Sequence, residues 1–242
     1  MASLSILGVA FAVAASPAPT DGIELIRQMR ARYEGKWYRT LTFVQTTTLP
    51  NGRVQTWYEA AEMPGKLRID LGTPDSMNTL IFRNDSVYQF RGGKPAGSTA
   101  LIHPLLLLGF DVYFLSPDET VRKLGELGFD LSKIREDRWQ GRPVYVVGAE
   151  AGDLKTPQFW VDRERLVFVR LLQPSKQDPA VVEEIQFNGY RPLGGGWIET
   201  EVVFLRDGKL WMKEEYGDIR EGMSFEPTLF DPGAWHRPGW VR

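Results

Sequence analysis

Residues 37–71 read WYRTLTFVQTTTLPNGRVQTWYEAAEMPGKLRIDL, and this stretch decides the fold class. Residues 37–49 predict a long strand. Pro50-Asn51-Gly52-Arg53 predicts a hairpin turn, because Asn-Gly tolerates the positive φ that tight turns need. Residues 54–63 then form the return strand, and residues 66–71 alternate between apolar and charged side chains, as in a strand with one buried face. Connections this short indicate antiparallel pairing.

The same pattern of short strands and turn residues extends over most of the chain. Further strands are predicted at residues 77–83, 86–91, 133–139, 143–149, 158–162, 166–173, 181–190, 197–206 and 209–219. Turn signals such as Gln140-Gly141 and Asp207-Gly208 separate them. No linker rich in Ser or Gly divides the chain, so the sequence favours one large antiparallel sheet with helices packed across it.

Three helical segments accompany the strands, one before the first strand and two in the middle of the chain. Asp21 and Glu24 form a capping box, and the apolar spacing that follows predicts a helix over residues 22–34. Residues 101–115 are strongly apolar. Ser116-Pro117-Asp118-Glu119 then combines an N-cap serine with proline at the first helical position, which predicts another helix ending near Gly128.

The composition excludes several classes of function. The 242 residues carry a formal net charge of -2, so the chain has no general attraction for nucleic acid. The absence of cysteine excludes disulfides, thiolate zinc sites and cysteine nucleophiles. The two histidines, His103 and His236, are too few for a histidine-rich metal site, so no metal is predicted.

The first residues predict export. Residues 4–15 form a short apolar run that ends in small residues, which is typical of a signal peptide cleaved between residues 14 and 18. A run of this length is too short to span a bilayer, which needs about 20 residues. We therefore predict a signal peptide at residues 1–15 and a spacer at 16–21; the alternative is a short buried helix.

The search for catalytic residues yields little. Glu183-Glu184 and Glu214-Glu215 are adjacent pairs on predicted strands, where neighbours point to opposite faces, so neither pair forms a carboxylate dyad. The glycines at 92–93 and 194–196 lack the features of a phosphate-binding loop. The apolar residues of the sheet and of the insert at 101–115 instead predict a hydrophobic pocket. From composition and periodicity alone, a solidly packed core is the favoured alternative.

Four passages in this order resemble the periplasmic outer-membrane lipoprotein carrier (LolA-like) family and its lipoprotein-sorting relatives. The helix at 23–34 leads into a strand ending Phe43-Val44-Gln45-Thr46-Thr47. Residues 62–70 are similar to the family's strand–Pro–strand step, residues 139–145 with 159–162 to a later hairpin, and residues 225–232 to its closing segment. The resemblance covers residues 22–232.

This resemblance implies a mainly β (α+β) fold, an incomplete antiparallel β-barrel with helices closing its mouth. It implies one domain over residues 22–232, with a helical lid insert at 98–128 and a tail at 233–242. Such proteins bind lipid or the acyl chains of lipoproteins, use no cofactor and catalyse no reaction. We therefore expect a monomeric periplasmic carrier in outer-membrane lipoprotein sorting, whose partners are a lipid or lipidated protein and membrane transfer proteins.

The resemblance also implies that one face of the predicted sheet lines a cavity and that an arginine, the lid latch, helps to hold the lid closed. The predicted cavity lining is Leu41, Phe43, Leu67, Ile69, Leu71, Leu80, Phe82, Leu105 and Leu108. The family usually has an arginine just before the proline of the strand step, where this chain has Met63. Arg39 or Arg68 is the candidate replacement for that latch.

Two other functions remain open at this stage. One is an envelope sensor that uses the same sheet to bind a protein partner. The other is a glycan-acting enzyme, which requires two acids about 5–10 Å apart in a cleft.

Overall fold

The hairpin predicted around Asn51-Gly52 lies near the middle of the sheet. In the computed structural model, which describes residues 17–239, β1 (Thr40–Thr48) pairs with β2 (Val54–Glu62) along its whole length. Gly52 has a φ of 77°, and its N–H donates to the carbonyl of Leu49 at 2.8 Å. The predicted signal peptide at 1–15 and the last residues of the predicted tail, 240–242, lie outside the described residues.

Most of the strands in the described chain belong to one antiparallel sheet. The remaining strands are β3 (Lys66–Leu71), β4 (Asn78–Arg83), β5 (Ser86–Arg91), β6 (Lys94–Ala100), β7 (Ile134–Trp139), β8 (Arg142–Val147), β9 (Gln158–Asp162), β10 (Phe168–Pro174), β11 (Val182–Asn188), β12 (Arg191–Leu193), β13 (Gly196–Ile198), β14 (Glu201–Arg206) and β15 (Lys209–Glu221). Within residues 17–239, 13 strands pair in the order β6-β5-β4-β3-β2-β1-β15-β14-β11-β10-β9-β8-β7. Strands β12 and β13 form a separate two-stranded sheet. The first and last strands of the chain are therefore neighbours in the centre of the large sheet.

The large sheet is curved and does not close on itself. Strands β6 and β7 form its two edges, and the helices lie against its concave face. The expected fold, a mainly β incomplete antiparallel barrel with helices, is confirmed.

Helix α1 (Gly22–Tyr33) begins and packs as its sequence predicts. The side chain of Asp21 accepts a hydrogen bond from the N–H of Glu24 at 2.7 Å. Leu25, Ile26 and Met29 are fully buried. The first helical position is glycine because a Cβ there would lie 2.7 Å from the side chain of Val147. The helix thereby covers part of the second half of the sheet.

Two shorter helices follow β6. Helix α2 (Pro104–Gly109) is followed by a 3-10 turn at Asp111–Tyr113, and helix α3 (Pro117–Glu126) begins at the predicted N-cap, Ser116. We call residues 101–115 the lid segment. Helix α1 packs against α3 and against the 3-10 turn, which places the lid segment beside the first half of the sheet. Within residues 17–239, no helix has both the length and the hydrophobicity needed to cross a bilayer.

The residues after β15 run across the convex face. We call residues 225–238 the C-terminal strap. Leu229 and Phe230 of the strap are buried against Ala60 of β2. The indole N–H of Trp235 donates to the hydroxyl of Thr79 at 3.1 Å. The strap therefore covers the convex side of the strands whose concave side faces the lid segment.

Two boundaries differ from the sequence prediction. Residues 94–100 form β6, an edge strand whose residues are all exposed, so the predicted lid insert at 98–128 begins inside a strand and its helices span only 104–126. The predicted strand at 197–206 is interrupted at 199–200, where β13 ends and β14 begins. Glu199 lies in this interruption and faces the interior.

Candidate ligand cavity

A cavity of about 260 Å³ lies between the lid segment and the concave face of the sheet. Its wall combines residues of β1 to β4, β11, β14 and β15 with residues of the lid segment. The apolar part of the wall consists of Leu41, Phe43, Trp57, Ala61, Leu67, Ile69, Leu80, Phe82, Leu105, Leu106, Phe110, Phe187, Phe204 and Met212. The concave face is therefore not completely filled by side chains.

Most of the side chains predicted to line a cavity lie on this wall. They are Leu41, Phe43, Leu67, Ile69, Leu80, Phe82 and Leu105. Leu108 does not line the cavity, because the second turn of α2 places it, fully buried, in the hydrophobic core. Leu71 also lies off the wall, half-buried at the end of β3 between Trp57 and Asn78. That the residues on the wall bind a ligand stays a prediction.

Five polar side chains that the sequence analysis did not select line the cavity, in addition to His103. They are Gln45 on β1, Glu59 on β2, Glu214 and Tyr216 on β15, and Glu199 between β13 and β14. Gln45 lies opposite Tyr216 on one neighbouring strand and opposite Trp57 on the other. The exposed fractions of the three glutamates are 5% for Glu59, 1% for Glu199 and 9% for Glu214. The cavity is thus an apolar space with an acidic side.

Burial shifts the acidity of all three glutamates in the same direction. Burial raises the pKa of Glu199 to about 8, with a smaller contribution from the charge of Glu214. Burial raises the pKa of Glu214 to about 7, partly offset by hydrogen bonds from Tyr216 and Gln45. Burial, together with the charges of Glu214 and Glu199, raises the pKa of Glu59 well above its usual range. Ionised forms of these groups are therefore unfavourable in the empty cavity.

His103 lies at the rim of the cavity but supplies no positive charge. Its Nδ1 accepts a hydrogen bond from the N–H of Leu106 at 3.1 Å, which caps α2. Burial lowers the pKa of the His103 ring to about 4, so the ring is neutral near pH 7. Among residues 17–239, no group of three or more His, Asp or Glu side chains is arranged to hold a metal ion.

The solved structures that match the chain over most of its length include three with TM-scores above 0.5. A DUF1329 family protein from Desulfovibrio piger matches with a TM-score of 0.57 and 15% identity, over 88% of this chain and 97% of that chain. A candidate outer-membrane lipoprotein-sorting protein domain from Vibrio parahaemolyticus has a TM-score of 0.57, 13% identity and the same coverage of both chains. A LolA superfamily protein from Nitrosomonas europaea has a TM-score of 0.52 and 10% identity, over 85% of this chain and 96% of that chain.

The chain has a LolA-like fold. The likeness is one of architecture, since all three identities are low. No protein-family model and no curated protein sequence matches the chain.

The lid segment of this LolA-like fold is held mainly by groups other than the predicted latch. The carboxylate of Asp111 accepts a hydrogen bond from the N–H of Gly65 at 2.9 Å, which joins the 3-10 turn to the β2–β3 turn. The hydroxyl of Tyr113 donates to the carbonyl of Leu166 at 3.1 Å. Lys123 of α3 forms an ion pair with Asp85 in the β4–β5 turn. Contacts at the β2–β3, β9–β10 and β4–β5 turns thus anchor the lid segment and the helix that follows it.

The two arginines proposed as a latch lie on different sides of the sheet. The guanidinium of Arg39 lies 5.3 Å from the ring centre of Phe114 in the lid segment and donates to the carbonyl of Met63 at 3.2 Å. Arg68 lies on the convex face under the C-terminal strap, because Leu67 and Ile69 occupy the concave side of β3. Arg68 therefore does not contact the lid segment, and Arg39 remains the only one of the two in a position to latch it.

Replacing Asp111 with alanine should loosen the lid segment. The variant loses the acceptor for the Gly65 N–H, which removes about 1 kcal/mol or more from the closed state. Hydrogen exchange of the amides at residues 104–115 should therefore accelerate about fivefold or more, as measured by mass spectrometry. Asp111→Asn keeps an acceptor oxygen and should exchange nearly as slowly as the native protein. Equal exchange in Asp111→Ala and the native protein would show that this hydrogen bond does not hold the lid.

Proposed function

We propose that the protein is a carrier of the cell envelope that binds lipid, or the acyl chains of a lipoprotein, in the cavity between the sheet and the lid segment. The observation that carries this proposal is the apolar space of about 260 Å³ on the concave face. This volume is just below the usual range for ligand sites, roughly 300–1,000 Å³, and suits a narrow chain. Each buried methylene contributes about 0.8 kcal/mol, so even a single acyl chain is held firmly.

The fold supports a role in transport across an aqueous compartment. One of the matching structures is a candidate outer-membrane lipoprotein-sorting domain, and a second is a LolA superfamily protein. A carrier must shield an alkyl chain from water and then release it, which requires a cover that opens. The lid segment, anchored by a few polar contacts, meets that requirement. The export signal predicted from residues 1–15 agrees with a periplasmic location, and the proposed partners are the cargo and the membrane proteins that supply and receive it.

The acidic side of the cavity does not by itself favour an enzyme. A glycan-acting enzyme needs two carboxyl groups in an open, polar cleft that contacts sugar hydroxyls. The three glutamates instead lie in a mostly apolar space under the lid segment. We therefore propose that the protein binds its ligand and catalyses no reaction.

Uptake of an uncharged acyl probe tests the proposal. Delipidated protein should bind a pyrene-labelled monoacylglycerol at micromolar concentrations, as measured by the change in pyrene fluorescence. Absence of uptake by a correctly folded sample would contradict the proposal. Native mass spectrometry of gently purified protein should show a bound lipid and give its mass.

Filling the cavity should abolish most of this uptake. Ala61 lies on the wall between Leu41 of β1 and Leu67 of β3. In Ala61→Phe the ring occupies the space of the ligand, and we expect the affinity for the probe to fall about tenfold or more. Ala96→Phe places the same ring on β6, where residue 96 is exposed, and should bind normally. Unchanged affinity in a folded Ala61→Phe variant would show that the probe binds elsewhere.

A further inference from the structure

The three glutamates of the cavity lie where the described part of the chain supplies no compensating positive charge. Among residues 17–239, no Lys or Arg side chain lines the cavity, and His103 at its rim is neutral near pH 7. The neighbours that perturb Glu59, Glu199 and Glu214 are hydrogen-bonding groups and other glutamates, with no cation among them. This contrasts with the buried acids elsewhere in the fold, such as Asp162, which pairs with Arg142.

Two oxygen atoms at this acidic side have no hydrogen-bond donor among residues 17–239. They are Oε1 of Glu199 and Oε1 of Gln45. Both side chains are only 1% exposed and both line the cavity. The amide N–H of Gln45 donates to the hydroxyl of Thr47 at 2.8 Å, which leaves the amide oxygen free. Buried acceptors without a donor are rare in folded proteins and indicate a missing partner.

The acidic side chains and Gln45 occupy one side of the cavity only. Glu59, Glu214 and Gln45 lie on β2, β15 and β1, whereas β3, β4 and α2 contribute no acidic side chain to the wall. In the sheet, β3 and β4 lie on the opposite side of β2 from β1 and β15. A ligand that fills the cavity therefore meets apolar side chains at one end and acceptors at the other.

We infer that the ligand is an amphiphile whose head carries a protonated amine, with its apolar body against β3, β4 and the lid segment and its head among Gln45, Glu59, Glu199 and Glu214. This inference rests on the proposed function and specifies the chemical class of the cargo. An ammonium group has three donors and no acceptor, which matches a set of oxygen acceptors. It also supplies the positive charge that the buried carboxylates lack. An anionic head, such as a fatty-acid carboxylate, brings no positive charge and further disfavours ionisation of the glutamates around it.

Three ligands that share the same alkyl chain but differ in their head group test the inference. Dodecylamine, dodecanol and dodecanoate are each titrated, below their micelle-forming concentrations and at pH 7.5, against delipidated protein loaded with the pyrene-labelled monoacylglycerol. We expect dodecylammonium to displace the probe at a concentration about tenfold or more below that of dodecanol, because hydrogen bonds between charged groups are the strong ones. Dodecanoate should be the weakest competitor.

Matched glutamine variants test the assignment of the head-binding residues. In Glu214→Gln and in Glu199→Gln, the ratio of ammonium to alcohol affinity should fall about tenfold. Glu215→Gln is the matched control, since Glu215 is the neighbour of Glu214 on β15 but is exposed on the other face, where it pairs with Lys213. The ratio should be unchanged in this control. Circular dichroism verifies that each variant is folded.

The outcomes separate the inference from the proposed function. If the neutral probe binds and all three heads compete equally, or dodecanol or dodecanoate competes best, the inference is wrong while the proposed function stands. If the neutral probe does not bind to folded protein, the proposed function itself is wrong. If Glu215→Gln lowers the ratio as much as Glu214→Gln does, the preference reflects the overall charge of the protein, and the inference is again wrong.

Discussion

The delipidated protein should be most stable near pH 5 and should lose on the order of 5 kcal/mol of its free energy of unfolding between pH 5 and pH 8. The cause is the set of buried acids whose pKa values folding raises: Glu59, Glu199, Glu214 and Asp111. Below about pH 3.5 each is protonated in both the folded and unfolded states. Above that pH the unfolded chain releases the protons while the folded chain retains them, so unfolding becomes more favourable as the pH rises.

The pH range of this loss of stability follows from the individual pKa values. The loss due to Glu214 and Asp111 is complete above about pH 7, where both are ionised in the folded state, and that due to Glu199 is complete above about pH 8. His103 acts in the opposite direction, because its lowered pKa of about 4 destabilises the fold as the pH falls below 6.5. The effect of this one histidine is smaller than that of the four acids. The protein therefore gains stability as the pH falls to about 5.

Urea unfolding at pH 5, 6, 7 and 8 measures this profile. Glu199→Gln carries no titrating group at that position and should be more stable than the native protein at pH 8, with a flatter profile between pH 6 and 8. Glu215→Gln should retain the full native slope. A native profile that is flat from pH 5 to pH 8 would contradict the assignment of raised pKa values to these acids.

Replacing Arg68 with alanine should have a comparably large effect on stability, about 3–5 kcal/mol at pH 7. The guanidinium is fully buried and makes two parallel hydrogen bonds to Asp70, Nε to Oδ2 at 2.9 Å and Nη2 to Oδ1 at 3.0 Å. It also donates to the carbonyls of Leu229 at 3.2 Å and His236 at 2.8 Å in the C-terminal strap. Removing it leaves a buried carboxylate without its counter-charge and two strap carbonyls without a donor.

Arg83 provides the control for this substitution. It too reaches the strap, donating to the carbonyl of Phe230 at 3.4 Å, but it is only half-buried and has no carboxylate partner among the described residues. Arg83→Ala should therefore cost about 1 kcal/mol or less. Urea unfolding gives both values, and limited proteolysis should release residues 225–238 faster in Arg68→Ala. A loss below about 1 kcal/mol in Arg68→Ala would show that the strap does not depend on this ion pair.

Much of the fold follows from local patterns in the sequence. The strict alternation at residues 66–71 and the Asn51-Gly52 turn predict β3 and the first hairpin, because both signals depend only on near neighbours. Strand β6 was missed because residues 94–100 are all exposed and include Pro95 and Gly97, so they show neither alternation nor strand propensity. An edge strand of this kind is defined by pairing with β5, which the local sequence does not encode.

The apolar wall of the cavity was largely predicted, and its acidic side was not. Glu214 and Glu215 were interpreted as neighbours that point to opposite faces of one strand. Glu214 is indeed the buried residue of the two, but no local feature of the sequence distinguishes it from Glu215. On β2 the alternation of buried and exposed side chains is interrupted, because Ala60 and Ala61 are both buried. Glu59 could therefore not be assigned to one face of the sheet. The available signal was on β1, where Gln45 alternates with Leu41 and Phe43 and thereby places a polar group on the apolar face.

The pairing of β1 with β15 has a consequence for how the protein folds. These strands come from opposite ends of the described chain, and their pairing joins β1–β6 to the strands from β7 onward. Until residues 209–221 have been synthesised, each half exposes an unpaired strand edge, and contacts between such distant residues form slowly. Late completion of the sheet is compatible with the proposed export, in which the chain crosses a membrane before it folds.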